Sequence, residues 1–182
     1  FTERKITDPS TARDAINDVA DTLGIVSVED ELGTADCSTV LGDTYYSFPQ
    51  VYRGIPVYGR KVTVSADADS EAALLTSGFY PIENLSVEAK ITQNDAEKIV
   101  AGLYPGEADI YVNNLVIFSL DKTNPELAWK ISVHQNNSWE SVFLSAVDGR
   151  VLKTFSNELT DNESSSNRFT NVYLYNAENR DI

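Results

Sequence analysis

The stretch Gln50-Val51-Tyr52-Arg53-Gly54-Ile55-Pro56-Val57-Tyr58-Gly59-Arg60 decides how the first half of this chain folds. Two arms rich in β-branched and aromatic residues flank Arg53-Gly54, which marks a turn or bulge between them. Pro56 sets the backbone direction after the turn, and Gly59 permits a close approach or a second bulge. Outward from this stretch, Thr44 to Val51 reads as one strand and Val57 to Ser65 as the next. Asp67-Ala68-Asp69-Ser70 is a turn, and Ala73 to Tyr80 returns as a strand that stops at Pro81. Upstream, Asp8-Pro9-Ser10 opens a helix. Asp8 or Ser10 can accept the free N–H groups of the first turn, and Pro9 suits an early helical position. Ala12, Ile16, Val19 and Leu23 repeat at helical spacing as one apolar stripe, which Gly24 ends.

The second half repeats this order after a linker at residues 82–90. Thr92 is the expected N-cap, with Asp95 three residues on as a variant of the capping box. Ala96, Ile99, Val100 and Leu103 form the stripe, and Pro105-Gly106 ends the helix. Strands are expected at Leu115–Leu120, Leu127–His134, Trp139–Val147 and Val151–Phe155. Asn136-Asn137 and Asp148-Gly149 link consecutive strands as hairpins. The expected fold class is therefore α+β: two units in tandem, each a helix packed across an antiparallel sheet. Asn157 to Arg168 is polar and rich in Ser, Asn and acid, the composition of an exposed, cleavable segment. Phe169 to Tyr175 then resumes an apolar–polar alternation, as though another domain were beginning.

The 182 residues are 42% apolar and 10% aromatic, enough for one sizeable core or two small ones and too apolar for disorder. No apolar run approaches the roughly 18 residues needed to cross a bilayer, so membrane insertion is not expected. Fourteen Lys and Arg stand against 28 Asp and Glu, a net charge of −14 whose excess both halves share. Such a surface repels phosphate backbones, which argues against nucleic acid as a partner. Cys37 is the one cysteine, so no internal disulfide can form, and a buried small hydrophobe is expected there. The chain starts at Phe1 without a basic-then-apolar leader, so any targeting segment is expected to have been removed.

Residues for catalysis are not found. His134 is the one histidine, and no Gly-x-Ser-x-Gly turn exists to pair it with an exposed nucleophile. It is expected as a hydrogen-bonded histidine on a sheet face. One Cys and one His cannot build a zinc site, and no Gly-rich phosphate loop is present. Asp67-x-Asp69-x-Glu71 hints at a calcium loop, but Ala72 and Gly78 stand where that loop needs Gly and Glu. No catalytic and no metal-binding residue is assigned. The chain is expected to act by binding another protein.

Gln50 to Arg60 closely resembles the Q-x-Y-x-G-(I/V)-P-V-(F/Y)-G signature in the propeptides of thermolysin-like and fungalysin-like zinc metalloproteases. Its residues here are Gln50, Tyr52, Gly54, Pro56, Val57 and Gly59. The second half resembles the PepSY domain that follows in those propeptides, through Asp95–Leu103, Leu115–Phe118, Leu127–Ile131 with Trp129, and Phe143–Val151 with Asp148 and Gly149. Two departures are Pro49, which suggests an edge position, and Ser70 in place of a turn glycine. The resemblance implies a propeptide (FTP) domain with its N-terminal helix at residues 1–81 and a PepSY domain at 91–157, both cystatin-like. Residues 158–182 would be a polar tail with a candidate start of a downstream domain. It further implies a secreted, bacterial prosegment that folds and inhibits a cognate metalloprotease catalytic domain. Glu158, Leu159, Thr160 and Asp161 would enter the cleft. No cofactor is expected in this chain, with zinc and calcium confined to the catalytic domain. The alternative is a free-standing secreted or surface-attached PepSY-type protein that binds or inhibits a protease or another extracellular partner.

Overall fold

A computed structural model describes residues 4–120, 123–156 and 171–173. The chain forms two compact units that divide between Pro81 and Ile82.

In the first unit, helices α1 (Pro9–Asn17), α2 (Ala20–Leu23) and α3 (Val28–Glu31) precede strands β1 (Asp36–Val40), β2 (Asp43–Tyr52), β3 (Ile55–Ala66) and β4 (Ala72–Ser77). Asp8 is the N-cap of α1: its carboxylate accepts from the Thr11 N–H, and the Thr11 hydroxyl oxygen accepts from the Asp8 N–H. The expected apolar stripe is broken in two. α1 stops after Asn17, and Leu23 belongs to the single turn of α2, which Val19 precedes as N-cap and Gly24 closes. The strands pair in sequence order, each antiparallel to the last. Ala12, Ala15 and Ile16 of α1 meet Phe48, Val62, Val64 and Leu75 in one core, with Ile25, Val28 and Leu32 filling beside them. Each large aliphatic chain buried there contributes about 1.5–3 kcal/mol. Arg13 ties the helices to this core. Its guanidinium donates to the carbonyls of Val28 (2.9 Å) and Gly33 (2.7 Å) and lies 5.0 Å from the centre of the Phe48 ring.

In the second unit, α4 (Gln93–Ala101) precedes β5 (Asp109–Phe118), β6 (Glu126–Gln135), β7 (Ser138–Ser145) and β8 (Val151–Ser156), again paired antiparallel in sequence order. Thr92 caps α4 by accepting from the Asp95 N–H. Ala96 and Val100 bury against Ile131, Val133, Val142 and Leu144. Leu103, expected on the helical stripe, falls beyond the helix and is 51% exposed. A last strand, β9 (Asn171–Tyr173), belongs to the first unit and pairs antiparallel with β4 there.

These elements correct the expected fold class. The chain is mostly β-sheet with a few short helices, which make up 17% of the described residues, and it is not a pair of cystatin-like helix-on-sheet units. The reason lies in the lengths. α1 and α4 have 9 residues each and α2 and α3 only 4, whereas β2, β5 and β6 run 10 residues and β3 runs 12. Strand pairing therefore organises far more of the described backbone than helix does. One strand and half of another went unforeseen: β1, and the part of β5 from Asp109 to Asn114, whose Asp and Asn residues are weak β-formers. A second correction concerns Cys37. It is exposed, because all five residues of β1 are exposed and β1 pairs on one side with β2.

Candidate functional site

The motif hairpin is built by two departures from regular pairing. The first is its turn. Tyr52 lies opposite Ile55, leaving Arg53 (φ 50°) and Gly54 (φ 80°) as the two central residues. Positive φ at both is the two-residue turn whose twist matches antiparallel strands, and it places glycine where a side chain would be strained. The Arg53 guanidinium folds back to 5.2 Å from the centre of the Tyr52 ring. The second departure is a bulge. Pro49 pairs with Lys61 but Val51 pairs with Pro56, so Gln50 alone faces Val57, Tyr58, Gly59 and Arg60. Gly59 (φ 68°) makes the excursion possible, and Val57 at its start is buried while Pro56 is exposed. A bulge of this kind turns side chains to directions that regular alternation would not give.

What the bulge accommodates is Gln50, a polar side chain only 2% exposed. Its amide donates to the Tyr80 carbonyl at 2.7 Å and accepts from the Tyr80 N–H at 3.3 Å. Arg60, at the other end of the bulge, lies 5.4 Å from the centre of the Tyr80 ring. Motif residues on β2 and β3 thus hold the segment that leaves β4. Pro49 fits beside them without losing a bond to β3. Its carbonyl accepts from the Gly33 N–H at 2.8 Å, so its ring nitrogen also faces away from β3, past the end of β1. Tyr80 was missed as a motif partner, since nothing local marks a residue 30 positions from Gln50 as its hydrogen-bond partner.

The second-unit residues gather where α4 meets its sheet. The Trp129 indole N–H donates to the Ile91 carbonyl at 2.8 Å, pinning the approach to α4. Gly149 (φ 76°) brings the β7–β8 turn against the helix, so close that an added Cβ would lie 2.9 Å from Ile99 Cδ1. Asp148 shapes this turn by accepting from the Arg150 N–H at 3.1 Å. That bond holds its carboxyl below the usual carboxylate range, helped by the Ser145 hydroxyl. Glu158, Leu159, Thr160 and Asp161 lie outside the described residues.

The residues set aside for chemistry stay apart. Asp67 spends its carboxylate on the N–H groups of Asp69 and Glu71, which makes a turn of the suspected calcium loop. Among the described residues, no group of three or more His, Cys, Asp or Glu is placed to hold a metal ion, and no helix is long and apolar enough to cross a membrane. His134 is not hydrogen-bonded as expected. Its Nδ1 sits 3.6 Å from Asp109 Oδ2, and its ring stacks on Trp139. What the motif residues build is a braced hairpin.

Residues 36–79 match the Fungalysin/Thermolysin Propeptide Motif, a stretch that contains the whole Gln50–Gly59 signature, both arms of the hairpin and β4. This part of the chain carries the propeptide motif of thermolysin-like proteases, a propeptide element rather than a catalytic domain. Among solved structures, the Bacillus megaterium YpeB C-terminal domain is similar at 15% identity, over 85% of this chain and 67% of that one, with a TM-score of 0.45. No curated protein matches the chain.

Proposed function

We propose that this chain is the prosegment of a secreted thermolysin-like zinc metalloprotease, and that it assists folding of the catalytic domain and then inhibits it. The match of residues 36–79 to the propeptide motif carries the proposal. In this account residues 1–81 are the FTP domain and 91–157 a PepSY domain, the precursor is exported from a bacterial cell, and the partner is the cognate catalytic domain. Folding assistance would come from preformed sheet surface offered to a domain with a high folding barrier. Inhibition would come from Glu158, Leu159, Thr160 and Asp161 entering the cleft as a substrate-like strand. The zinc and calcium of such an enzyme would belong to the catalytic domain.

The test is refolding of the denatured catalytic domain with and without this chain added in trans, followed by assay of peptidase activity. The expected result is a higher yield of folded enzyme and lower activity while the chain remains intact. Equal yields together with undiminished activity would refute both roles.

A further inference from the structure

One corner of the second unit presents aromatic and acidic groups that neither the propeptide motif nor the core employs. Along β6, Ile131 and Val133 face α4, so Ser132 and His134 point to the opposite side of the sheet. Tyr111 of β5 lies opposite Ser132, and Trp139 of β7 lies opposite His134, which places both rings on that side. Tyr111 is 51% exposed and Trp139 is 44% exposed. The centre of the Trp139 ring lies 5.9 Å from that of Tyr111 and 4.8 Å from that of His134, with the planes tilted by 29° and 28°. Asp109, paired with His134 on the strand ladder, adds a carboxylate whose side chain is 69% exposed. A bulge at Asn113, where the Ser132 hydroxyl donates to the Asn113 amide oxygen at 3.0 Å, closes the inner margin.

We propose that Tyr111, Trp139 and Asp109 form a docking site for the guanidinium of an arginine in a basic segment of a partner protein. Three observations carry this. Aromatic faces attract cations through their quadrupole, and elsewhere in this chain such faces are taken by its own basic groups, as Arg13 over Phe48, Arg53 over Tyr52 and Lys153 over Phe155. Among the described residues no Lys or Arg lies over Tyr111 or Trp139. His134 shows the stack-and-pair arrangement on this corner, lying on Trp139 with Nδ1 3.6 Å from Asp109, and the exposed parts of Tyr111 and Trp139 beyond it are what an incoming guanidinium would meet. Finally, a net charge of −14 draws basic partners, and a guanidinium can stack and pair with a carboxylate at once where an ammonium cannot. The site is built from residues outside the matched stretch 36–79, and the proposal does not depend on the prosegment role.

The test titrates the full chain with a capped Gly-Arg-Gly-Arg-Gly peptide, with its citrulline analogue, and with the neutral glycan cellohexaose, reading the two indole N–H signals by NMR. The arginine peptide should move the Trp139 signal and leave that of Trp129, which is held by the Ile91 carbonyl. The citrulline peptide, which has the same shape without the charge, should move neither. Trp139→Ala, Tyr111→Ala and Asp109→Asn should each weaken binding about fivefold. The wild-type signals give the answer even where a variant folds poorly. Shifts spread over the acidic surface with affinity unchanged in Trp139→Ala would overturn the proposal. So would equal binding of the citrulline peptide, or a response of Trp139 to cellohexaose alone, which would make the corner a glycan platform.

Discussion

The side-chain amide of Gln50 forms two hydrogen bonds with the backbone of Tyr80, donating to its carbonyl and accepting from its N–H. A buried glutamine is costly to desolvate unless both ends of its amide are used, and here both are. Replacement by leucine would remove both of these bonds to the Tyr80 backbone. Gln50→Leu is expected to destabilise the first unit by about 2–4 kcal/mol, seen as a lower urea midpoint. Gln50→Glu is the sharper test. An ionised glutamate can accept from Tyr80 but cannot donate, and protonation restores a donor. That variant should gain stability relative to wild type as pH falls, and a constant gap between the two would refute the clamp.

Gly54 and Gly59 both have positive φ, and nothing lies within 4 Å of a Cβ added at either. Substitution there is opposed by the backbone rather than by a neighbour. Gly54→Val and Gly59→Val should each cost about 1–3 kcal/mol, while Gly→Asn at the same positions should cost markedly less because asparagine tolerates this region. Thermal melts of the four variants distinguish the two causes. Equal losses for Val and Asn would mean that φ is not the constraint.

Ser70 closes the Asp67–Ser70 turn with φ 64°, and its N–H donates to the Asp67 carbonyl at 2.9 Å. A serine there is strained where a glycine would not be. Ser70→Gly should therefore raise stability by about 0.5–1 kcal/mol, despite the greater flexibility that glycine adds to the unfolded chain. A fall in melting temperature would show that the strain is smaller than that entropy.

The exposed Asp8 carboxylate has a lowered pKa, chiefly through the hydrogen bond from the Thr11 N–H. A group depressed in the folded state stabilises above its unfolded value, near pH 4 for an ordinary aspartate, and that contribution fades as pH falls through the folded value. Asp8→Asn keeps an oxygen for the cap but cannot titrate. The difference between wild type and Asp8→Asn should shrink on acidification below about pH 4, as followed by helical circular dichroism during urea unfolding at several pH values. A difference independent of pH would remove the cap as its source.

Gly149 combines positive φ with a close neighbour in Ile99 of α4. Gly149→Ala should cost about 1–2 kcal/mol, and pairing it with Ile99→Val should recover part of that loss by making room. Simple additivity of the two changes would show that backbone strain alone sets the cost.

Local signals were read correctly where the interaction that decides them spans a few residues. Asp8 and Thr92 cap helices because their side chains reach N–H groups three positions on, and Arg53-Gly54 turns because two adjacent residues take positive φ. The 10-residue motif was likewise legible, since its glycines and proline mark backbone geometry that other residues resist. Tertiary structure decided the rest. Cys37 is exposed because its strand has one described neighbour, β2, and the apolar stripe from Ala12 to Leu23 breaks after Asn17. The excess of sheet over helix arises from long strands that pair with their neighbours in the chain, a ladder that short helical periodicities do not report. Gln50 meets Tyr80, and Tyr111 meets Trp139, only once that pairing has set the register. Sequence alone determined where the backbone could turn and cap; the three-dimensional packing determined which side chains those turns brought together, because burial and distance are properties of the folded chain and not of neighbouring residues.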